Sequence, residues 1–219
     1  MSRVRLVLFD LDGTLVDTAP DLAGAVNRMR VARGLDALPL AELRPVASHG
    51  ARGLIGRAFG VTPADPEFEP LRQEFFREYE SALCVLSCLF PAMDEALADL
   101  EADGILWGIV TNKIARFTLP LVKALGLHER AAIVVSGDTT PRPKPDPAPL
   151  AHALAATTTE PRAAIYVGDD LRDIQAGRAA GMRTVAASYG YLGDGLHYEQ
   201  WGADHVIHSP AGLRSLVKS

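Results

Sequence analysis

The sequence predicts an α/β fold in which a parallel sheet carries helices on both faces and is interrupted by a helical insert. Three observations indicate this fold. A buried strand opens the chain at residues 4–9, residues 18–88 show only helical periodicity, and helices alternate with strands from residue 89 onward. With 219 residues, the chain is long enough for one α/β domain and a modest insert.

The first strand, 4–9, consists mostly of Val, Leu and Phe, which is typical of a strand buried on both faces. Asp10 and Asp12 follow it at i and i+2, so their side chains point the same way in an extended chain. Two like charges this close repel each other. A divalent cation and a bound phosphate dianion with its own cationic partner would offset them. The alternative is a polar strand end with two solvated aspartates.

The segment from 18 to 88 is predicted to be a small helical bundle. The stretch Thr18-Ala-Pro20-Asp21 has the pattern of a capping box with proline in the first turn. Three groups of apolar residues then recur at helical spacing and are interpreted as core stripes. These groups are Leu22, Ala25, Val26 and Met29; Leu54, Ile55, Ala58 and Phe59; and Phe68, Leu71, Phe75 and Tyr79. The predicted domains are therefore a core of residues 1–17 and 89–219 and an insert of residues 18–88.

The remaining chain alternates between helices, three of which end at a glycine, and apolar strands. The predicted strands are 105–110, 133–135, 163–167, 184–187 and a short edge strand at 206–207. Open parallel sheets bind ligands beyond the carboxyl ends of their strands. Asp10, Thr111 and Asp169 each follow the end of a different predicted strand. We therefore expect these three residues to converge at one edge of the sheet.

The two aspartates of the first strand suit the hydrolysis of a phosphate monoester. Such an ester resists attack because its negative charge repels nucleophiles, so an enzyme must supply a positioned nucleophile, charge neutralisation and a proton. Asp10 is the predicted nucleophile, which would form an aspartyl-phosphate. Asp12 is the predicted acid that protonates the leaving oxygen and the base that then activates water.

Three further residues are candidates for binding phosphate. Thr111 and Asn112 offer a hydroxyl and an amide donor, although both would also suit a helix cap. Lys144 lies in a Pro-Arg-Pro-Lys-Pro-Asp-Pro stretch, and the flanking prolines hold the chain extended and fix the direction of its ammonium group. Its predicted role is to balance the charge of nucleophile and phosphate. The alternative is a solvated loop lysine.

Asp169, Asp170 and Asp173 place three carboxylates within one turn after a predicted strand. Helix capping and the helix dipole explain one or two acidic residues at such a place. Three of them beside Asp10 indicate a hard cation. Mg²⁺ fits, because it takes few protein carboxylates together with water and substrate phosphate.

Composition excludes several other classes of function. A net charge of -5 without a basic run argues against nucleic acid as the main ligand. No apolar stretch is long enough for a membrane span, and no signal-peptide layout is present, so a cytoplasmic protein is expected. Cys84 and Cys88 have the spacing of neither a zinc site nor a redox pair and are expected to be reduced thiols. His205 and His208 are expected at the surface.

The motifs together resemble the haloacid dehalogenase-like hydrolase superfamily, specifically its phosphatases with a helical cap inserted after the first motif. The matching residues, in family order, are Asp10 and Asp12, Thr111 and Asn112, Lys144, and Asp169 and Asp173. The resemblance covers essentially the whole chain. It implies a Rossmann-like core, dependence on Mg²⁺ and an aspartyl-phosphate intermediate.

The resemblance also implies a set of metal ligands: the Asp10 carboxylate, the Asp12 backbone carbonyl and Asp169. Asp173 would either belong to the metal site or support these ligands through contacts with them, and Asp170 would support them in the same way. The presence of Asp12 favours phosphoryl transfer over dehalogenation, because the dehalogenases of the superfamily lack this second aspartate.

Within the superfamily the sequence is most similar to the phosphoglycolate phosphatase group, through residues 106–113 and 168–181. The stretches 48–52 and 189–204 also resemble a related branch that dephosphorylates N-acetylmuramic acid 6-phosphate. The motifs leave both substrates open. The expected partner is a small phosphorylated metabolite, and the sequence indicates no oligomeric state.

Arg52 is the predicted source of substrate specificity, because both candidate substrates carry a carboxylate and a guanidinium can hold one through two parallel hydrogen bonds. The alternative is a surface arginine on a helix. Two other classes of function remain at this stage. A sugar phosphomutase would share the cap and the core, and a binding module without activity fits poorly because every motif position holds a competent residue.

Overall fold

The computed structural model describes residues 3–193 and 195–218. Its strands are, in chain order, β1 (Leu6–Phe9), β2 (Val16–Asp17), β3 (Cys88–Leu89), β4 (Leu106–Val110), β5 (Val134–Val135), β6 (Ala164–Gly168), β7 (Arg183–Ala187) and β8 (His205–Ile207). Its α-helices are α1 (Ala19–Val31), α2 (Leu40–Leu43), α3 (Gly50–Phe59), α4 (Phe68–Ser81), α5 (Met93–Ala102), α6 (Ala115–Ala124), α7 (Ala148–Ala156), α8 (Leu171–Ala179) and α9 (Leu213–Val217). A 3-10 helix, Arg44–His49, leads directly into α3.

The main sheet is parallel throughout and has the strand order β5-β4-β1-β6-β7-β8. Phe9, the last residue of β1, pairs with Ile109 of β4 on one side and with Val167 of β6 on the other. The three central strands therefore end at the same edge of the sheet, and the residues that follow them lie side by side. The parallel α/β class predicted from the sequence is confirmed, and β8 forms the predicted edge strand.

The centre of the sheet is buried on both faces. Val7 and Phe9 belong to one apolar cluster, whereas Leu6 and Leu8 belong to another, as the alternation of side chains along a strand requires. The first cluster includes residues of α5 and α6, and the second includes residues of α7. Helices on both faces explain why β1 reads as a continuous apolar run.

The helices α1 to α4 lie between β2 and β3, which pair with each other in antiparallel fashion. The two chain crossings into and out of this helical insert therefore lie next to each other. Leu22, Ala25, Val26 and Met29 of α1 are buried, as their spacing predicted, and α1 packs against α3 and α4. The domain boundaries at residues 17 and 88 stay a prediction.

The capping box predicted at the start of α1 is wrong. Thr18 makes no side-chain capping bond to α1, and Asp21 binds elsewhere. The Asp21 carboxylate accepts hydrogen bonds from the backbone nitrogens of Val85, Leu86 and Ser87 at 3.0, 3.0 and 2.8 Å. The chain at residues 85–87 offers three converging backbone N–H donors to this carboxylate, whereas a capping box would offer it only one. Asp21 thus ties the start of α1 to the chain that leaves the insert.

Two smaller expectations concern the cysteines and histidines. Cys84 and Cys88 are free thiols rather than a disulfide, as expected. His205 begins β8 and is partly exposed, and His208 is exposed, so the expected surface position holds for both.

Across the described residues, no helix combines the length and the apolar character that crossing a lipid bilayer demands.

Candidate active site

Asp10 directly follows β1 and contacts Lys144 and the backbone of Leu11. Its Oδ1 is 3.0 Å from Lys144 Nζ and accepts a 2.7 Å hydrogen bond from the backbone nitrogen of Leu11. Lys144 Nζ also donates to Asp173 Oδ1 at 2.7 Å. A single buried ammonium group therefore bridges two carboxylates, one directly after β1 and one in the first turn of α8.

Lys144 is held in place by Asn112 and Tyr166. The Asn112 side chain donates to the carbonyl of Lys144 and accepts from its backbone nitrogen, both at 2.9 Å. The ammonium donates to Tyr166 Oη at 2.7 Å. Burial lowers the pKa of Lys144, but the charges of Asp10 and Asp173 outweigh it and hold that pKa above its usual value. The lysine is thus a buried cation and not the solvated loop residue of the alternative interpretation.

The amide of Asn112 is therefore engaged with the Lys144 segment, a contact that the sequence did not indicate. Thr111 lies beside it, 2% exposed, and its Oγ accepts from the backbone nitrogen of Lys113 at 3.1 Å. The Thr111 hydroxyl hydrogen stays available for another acceptor in the cleft, since a hydroxyl can donate and accept at once.

Asp10, Asp169 and Asp173 form an acidic cluster whose ligand oxygens all lie within 4.8 Å of one another. Burial raises the pKa of Asp10 from its ordinary value of 3.8 to about 7, with Lys144 opposing that rise and the charges of Asp173 and Asp12 adding to it. Burial, together with Asp10 and Asp173, also raises the pKa of Asp169 well above its ordinary value. A divalent cation would remove this cost, and a set of hard carboxylate oxygens fits Mg²⁺.

Asp169 is fully buried and accepts hydrogen bonds from three separate parts of the chain. Its donors are Thr14 Oγ at 2.8 Å, the Tyr191 backbone nitrogen at 2.9 Å and Ser48 Oγ at 3.2 Å. Gly13 makes this close approach possible, because a Cβ there would lie 2.2 Å from Asp169 Oδ2 and its φ is +87°. The Asp169 carboxylate is thereby held by three segments: the loop after β1, the insert, and the loop after β7.

Asp170 and Asp173 begin α8 as a capping box. Asp170 accepts from the backbone nitrogen of Arg172 at 2.8 Å, and Asp173 Oδ2 accepts from the backbone nitrogen of Asp170 at 3.1 Å. The Arg172 side chain pairs with Asp170 at 2.7 Å, and hydrogen bonds to Arg172 hold the pKa of Asp170 below its ordinary value although burial raises it. Asp170 and Asp173 therefore cap α8, and Asp173 is at the same time part of the acidic cluster.

Asp12 has two partners on the same oxygen. Lys113 Nζ lies 3.0 Å from Asp12 Oδ1, and the Thr18 hydroxyl donates to that oxygen as well. Asp12 Oδ2 accepts no hydrogen bond from any residue in 3–193 or 195–218. Lys113 Nζ also lies 4.6 Å from the centroid of the Tyr79 ring. The lysine therefore contacts Asp12 beside the sheet and Tyr79 on α4.

Tyr191 connects the acidic cluster to the chain crossing at β2. Its backbone nitrogen donates to Asp169, and its hydroxyl accepts from the backbone nitrogens of Thr18 and Ala19 at 2.7 and 2.8 Å. The same hydroxyl donates to Asp17 Oδ1 at 2.9 Å. Asp17 is in turn bound by both terminal nitrogens of Arg44, at 2.8 and 2.9 Å.

A cleft of about 390 Å³ lies over this edge of the sheet, between the strand ends and the insert. Asp10, Asp12, Thr111 and Lys144 line its floor, and residues of α3 and α4 line the other side. Arg52 is among the latter; it is exposed and has no ion-pair partner within the described residues. Of the predicted site residues, Asp169 lies beneath the cleft and not in its lining.

Four residues of the site were not predicted from the sequence: Lys113, Tyr191, Thr14 and Arg172. Lys113 directly follows Thr111 and Asn112, so its place after a strand end was a usable signal. Tyr191 and Thr14 both donate hydrogen bonds to Asp169, which is distant from them in sequence, so only the fold shows these contacts. The stripe predicted as core on α4 was Phe68, Leu71, Phe75 and Tyr79, yet Phe68 is only partly buried and lines the cleft, as does Phe76, which the stripe did not include.

Comparison with known proteins gives full-length matches. The family model of the haloacid dehalogenase-like hydrolases matches residues 7–187. An N-acetylmuramic acid 6-phosphate phosphatase of Pseudomonas putida is 45% identical over 217 residues, covering 99% of this chain and 97% of that protein. A phosphoglycolate phosphatase of Xanthomonas campestris pv. campestris is 44% identical over 210 residues, covering 95% of this chain and 94% of that protein.

The fold has a close counterpart among solved structures. The crystal structure of a predicted phosphoglycolate phosphatase from Haemophilus somnus superposes with a TM-score of 0.86 at 29% identity, covering 99% of each chain. The family model extends from Val7, within β1, to Ala187 at the end of β7, and it therefore includes Asp10 and Asp12. This chain belongs to the haloacid dehalogenase-like hydrolase family.

Proposed function

We propose that this protein is a Mg²⁺-dependent phosphatase that hydrolyses a small phosphate monoester through an aspartyl-phosphate. The observation that carries the proposal is the contact between Asp10 and Lys144, whose charged groups are 3.0 Å apart on the floor of the cleft. A carboxylate nucleophile needs a neighbouring cation when a phosphate dianion approaches, and Lys144 is held there by Asn112 and Asp173.

In this proposal Asp10 attacks the phosphorus atom and the bond to the leaving oxygen breaks. Asp12 gives a proton to that oxygen through Oδ2, because Oδ1 is occupied by Lys113 and Thr18. The resulting aspartyl-phosphate is then attacked by a water molecule that returns its proton to Asp12. Asp10 is restored and inorganic phosphate leaves.

The metal would be held by the carboxylates of Asp10 and Asp169 and by the backbone carbonyl of Asp12. It would supply positive charge that neutralises the nucleophile and the phosphate together. Asp173 and Asp170 would support this site, since Asp173 fixes Lys144 and Asp170 fixes the first turn of α8. Thr111, Lys144 and the second N–H of the Asn112 amide, whose first N–H is bound to the Lys144 carbonyl, would bind the phosphate oxygens.

Phosphoglycolate is the first candidate substrate, and N-acetylmuramic acid 6-phosphate is the second. The second is favoured by the relative from Pseudomonas putida, which is 45% identical over 99% of this chain. Both esters carry a carboxylate. Arg52 lines the cleft from the insert without an ion-pair partner among the described residues, which supports its assignment to that carboxylate.

We further infer that residues 1–17 and 89–219 act as the catalytic core and that residues 18–88 act as a cap. The pairing of β2 with β3 supports this division, because it places both chain crossings at one hinge. The catalytic carboxylates all follow strands of the main sheet, whereas Arg52 lies on a helix of the insert.

Phosphate release from p-nitrophenyl phosphate, measured with and without Mg²⁺, tests the proposal. We expect Mg²⁺-dependent release by the wild type, and no release by Asp10→Asn, whose amide keeps the size of the side chain but cannot act as an anionic nucleophile. Asp36→Asn, at an exposed position in the insert, is the matched control and should retain full activity. Metal-independent release, or substantial turnover by a clean Asp10→Asn preparation, would contradict the proposal.

A further inference from the structure

The hydroxyl group of Tyr166 lies beneath the floor of the active-site cleft. Tyr166 is in β6 between Ile165 and Val167, and its side chain points to the opposite face of the sheet from theirs, into the cluster that includes residues of α7. It is fully buried, at 0% exposed, and does not line the cleft itself. A buried hydroxyl costs free energy unless it is hydrogen-bonded, so the role of this group lies in its partners.

Three oxygens accept hydrogen bonds from the Lys144 ammonium group. Nζ donates to Tyr166 Oη at 2.7 Å, to Asp173 Oδ1 at 2.7 Å and to the carbonyl oxygen of Val110 at 3.1 Å. Asp10 Oδ1 is a fourth oxygen, 3.0 Å from Nζ, which makes an ion pair but is not one of the three hydrogen-bond acceptors. Because an ammonium group has only three hydrogens, this set is complete without Asp10.

The Tyr166 hydroxyl can accept from Lys144 because its own hydrogen has another acceptor. Oη donates to the Val110 carbonyl at 2.8 Å, and Asp173 Oδ1 lies 3.2 Å away as a second acceptor. Each of the four groups in this network therefore has at least two partners within it. A buried network of this kind holds Nζ in one place and also fixes the directions of its three hydrogens.

This arrangement places the charge of Lys144 beside Asp10 without a hydrogen bond between them. Asp10 Oδ1 already accepts a hydrogen bond from the backbone nitrogen of Leu11 at 2.7 Å. A second one, from an ammonium group, would be charge-assisted, and it would stabilise the carboxylate and make it a weaker nucleophile. A fixed positive charge 3.0 Å away still attracts a phosphate dianion and offsets its repulsion by the carboxylate.

Removal of the Tyr166 hydroxyl would release one hydrogen of the ammonium group. The acceptors on Val110 and Asp173 would keep the other two hydrogens. Asp10 Oδ1, at 3.0 Å, is near enough to accept the released hydrogen. A buried N–H group without an acceptor costs free energy, so this hydrogen would turn toward Asp10. The lysine would then hold the nucleophile through a hydrogen bond.

Building on the phosphatase activity proposed above, we propose that Tyr166 is a positioning residue for the attack on phosphorus. Its hydroxyl accepts one hydrogen of the Lys144 ammonium group and so keeps the Asp10 carboxylate free of a hydrogen bond from the lysine. The two chemical steps depend on this in different ways. Asp10 is the nucleophile when the aspartyl-phosphate forms, and it is the leaving group when water hydrolyses that intermediate. A hydrogen bond from Lys144 to Asp10 slows the first step and does not slow the second.

Tyr166→Phe tests the inference, because it removes the hydroxyl and keeps the ring in the core. With p-nitrophenyl phosphate and Mg²⁺, release of p-nitrophenolate in a single turnover under excess enzyme measures formation of the aspartyl-phosphate. Loss of radiolabelled phosphate from acid-quenched enzyme measures its hydrolysis. We expect formation to slow about tenfold or more and hydrolysis to stay within about twofold. Tyr198→Phe, at a partly exposed position outside the cleft lining, is the matched control and should change neither rate.

A second measurement uses the wild type and does not depend on the folding of a variant. The sequence has four lysines, so protein labelled with an NMR-active nitrogen isotope in lysine gives few ammonium signals. The Lys144 signal is identified by its contacts with the Tyr166 ring, whose centroid is 5.4 Å from Nζ. Its hydrogens should exchange with water more slowly than those of Lys113, which is buried but donates to Asp12 alone within residues 3–193 and 195–218. Exchange as fast as that of the exposed Lys123 would overturn the inference.

The outcomes distinguish this inference from the proposed function. Turnover by the wild type together with equal slowing of both steps in Tyr166→Phe would show a general structural role and overturn only the inference. An unchanged rate of formation in folded Tyr166→Phe would do the same. Absence of p-nitrophenolate release by the wild type would overturn both. Selective slowing of formation, with slow hydrogen exchange at Lys144 and an unchanged Tyr198→Phe, would support the inference.

Discussion

Lys113 and Asp12 form an ion pair in which Nζ lies 3.0 Å from Oδ1, and the lysine side chain is only 8% exposed. Because Lys113, which follows β4, contacts both Asp12 and the ring of Tyr79, it holds the proposed acid in place and connects it to α4. We expect Lys113→Met to lower kcat about tenfold or more with a smaller change in KM, since the carboxylate loses its positioning partner. Lys123→Met, exposed on α6, should be neutral. A change confined to KM would show that Lys113 binds substrate instead.

Asp169→Ala should weaken activation by Mg²⁺ more than it weakens folding. The substitution removes one hard oxygen ligand from a site in which Asp10 and Asp173 offer others within 4.8 Å. The measurement is the Mg²⁺ concentration that gives half-maximal rate, together with a thermal unfolding curve. An unchanged half-saturation would mean that Asp169 only orders the Thr14 and Tyr191 segments.

The metal-free protein should become less stable as the pH rises from about 4 to about 7. Burial raises the pKa of Asp10 from 3.8 to about 7, so in this range the folded state holds a proton that the unfolded state has released. The same sign applies to Asp169, whose pKa is also raised by burial. Saturating Mg²⁺ should flatten or reverse the trend, because the cation binds the ionised carboxylates. Urea unfolding across this pH range, with EDTA or with Mg²⁺, measures it, and identical pH trends in both would count against a metal at these carboxylates.

Arg52→Lys should lower kcat/KM for carboxylated esters by about tenfold or more, which corresponds to roughly 1.4 kcal/mol. A lysine keeps the charge but cannot form the two parallel hydrogen bonds of a guanidinium. Activity on p-nitrophenyl phosphate, which has no carboxylate, should hardly change. Arg57→Lys, exposed on the same helix, serves as the control. Equal losses on both kinds of ester would show that Arg52 does not recognise the carboxylate.

Binding of a phosphate analogue should slow hydrogen exchange at the two chain crossings, residues 17–20 and 88–91. The insert already contacts the sheet side through Ser48, whose hydroxyl donates to Asp169 and whose carbonyl accepts from Arg172 at 2.9 Å. A ligand held between both sides would favour this closed arrangement and exclude water. The measurement compares the protein with and without orthovanadate and Mg²⁺, with α7 as an internal reference. Unchanged exchange at both crossings would contradict a moving cap.

The strands and the convergence at their ends could be predicted because their signals are local. Each of these signals lies within a few residues of the element that it predicts. They are the buried apolar runs, the glycines that end helices, and the acidic residues that follow the predicted strands 4–9 and 163–167. Contacts between distant segments could not be predicted in the same way. Lys113 reaches Asp12 across 101 positions, and Asp21 prefers donors 64 to 66 positions away to those of its own helix.

The aromatic stripe of α4 illustrates a second limit. Helical periodicity predicts that Phe68, Phe75 and Tyr79 share a face, and the structure confirms that they do. Periodicity does not distinguish a face that packs in a core from a face that lines a cleft, because both are apolar. The distinction depends on how the insert is placed over the sheet, which the pattern of one helix does not contain.

Tyr191 connects the acidic cluster to the chain crossing at the start of the insert. Its backbone nitrogen binds Asp169 of the acidic cluster, and its hydroxyl binds Asp17 and the first residues of α1 at the crossing. Tyr191 therefore joins Asp169, which we propose as a ligand of the cation, to the chain crossing that leads into the insert. In the proposed mechanism, a movement of the insert that shifts Tyr191 changes the affinity of Asp169 for the ion, and by reciprocity the bound ion changes the equilibrium of that movement by the same free energy. The proposed opening of the cleft and the proposed release of the ion would therefore be coupled through this one residue.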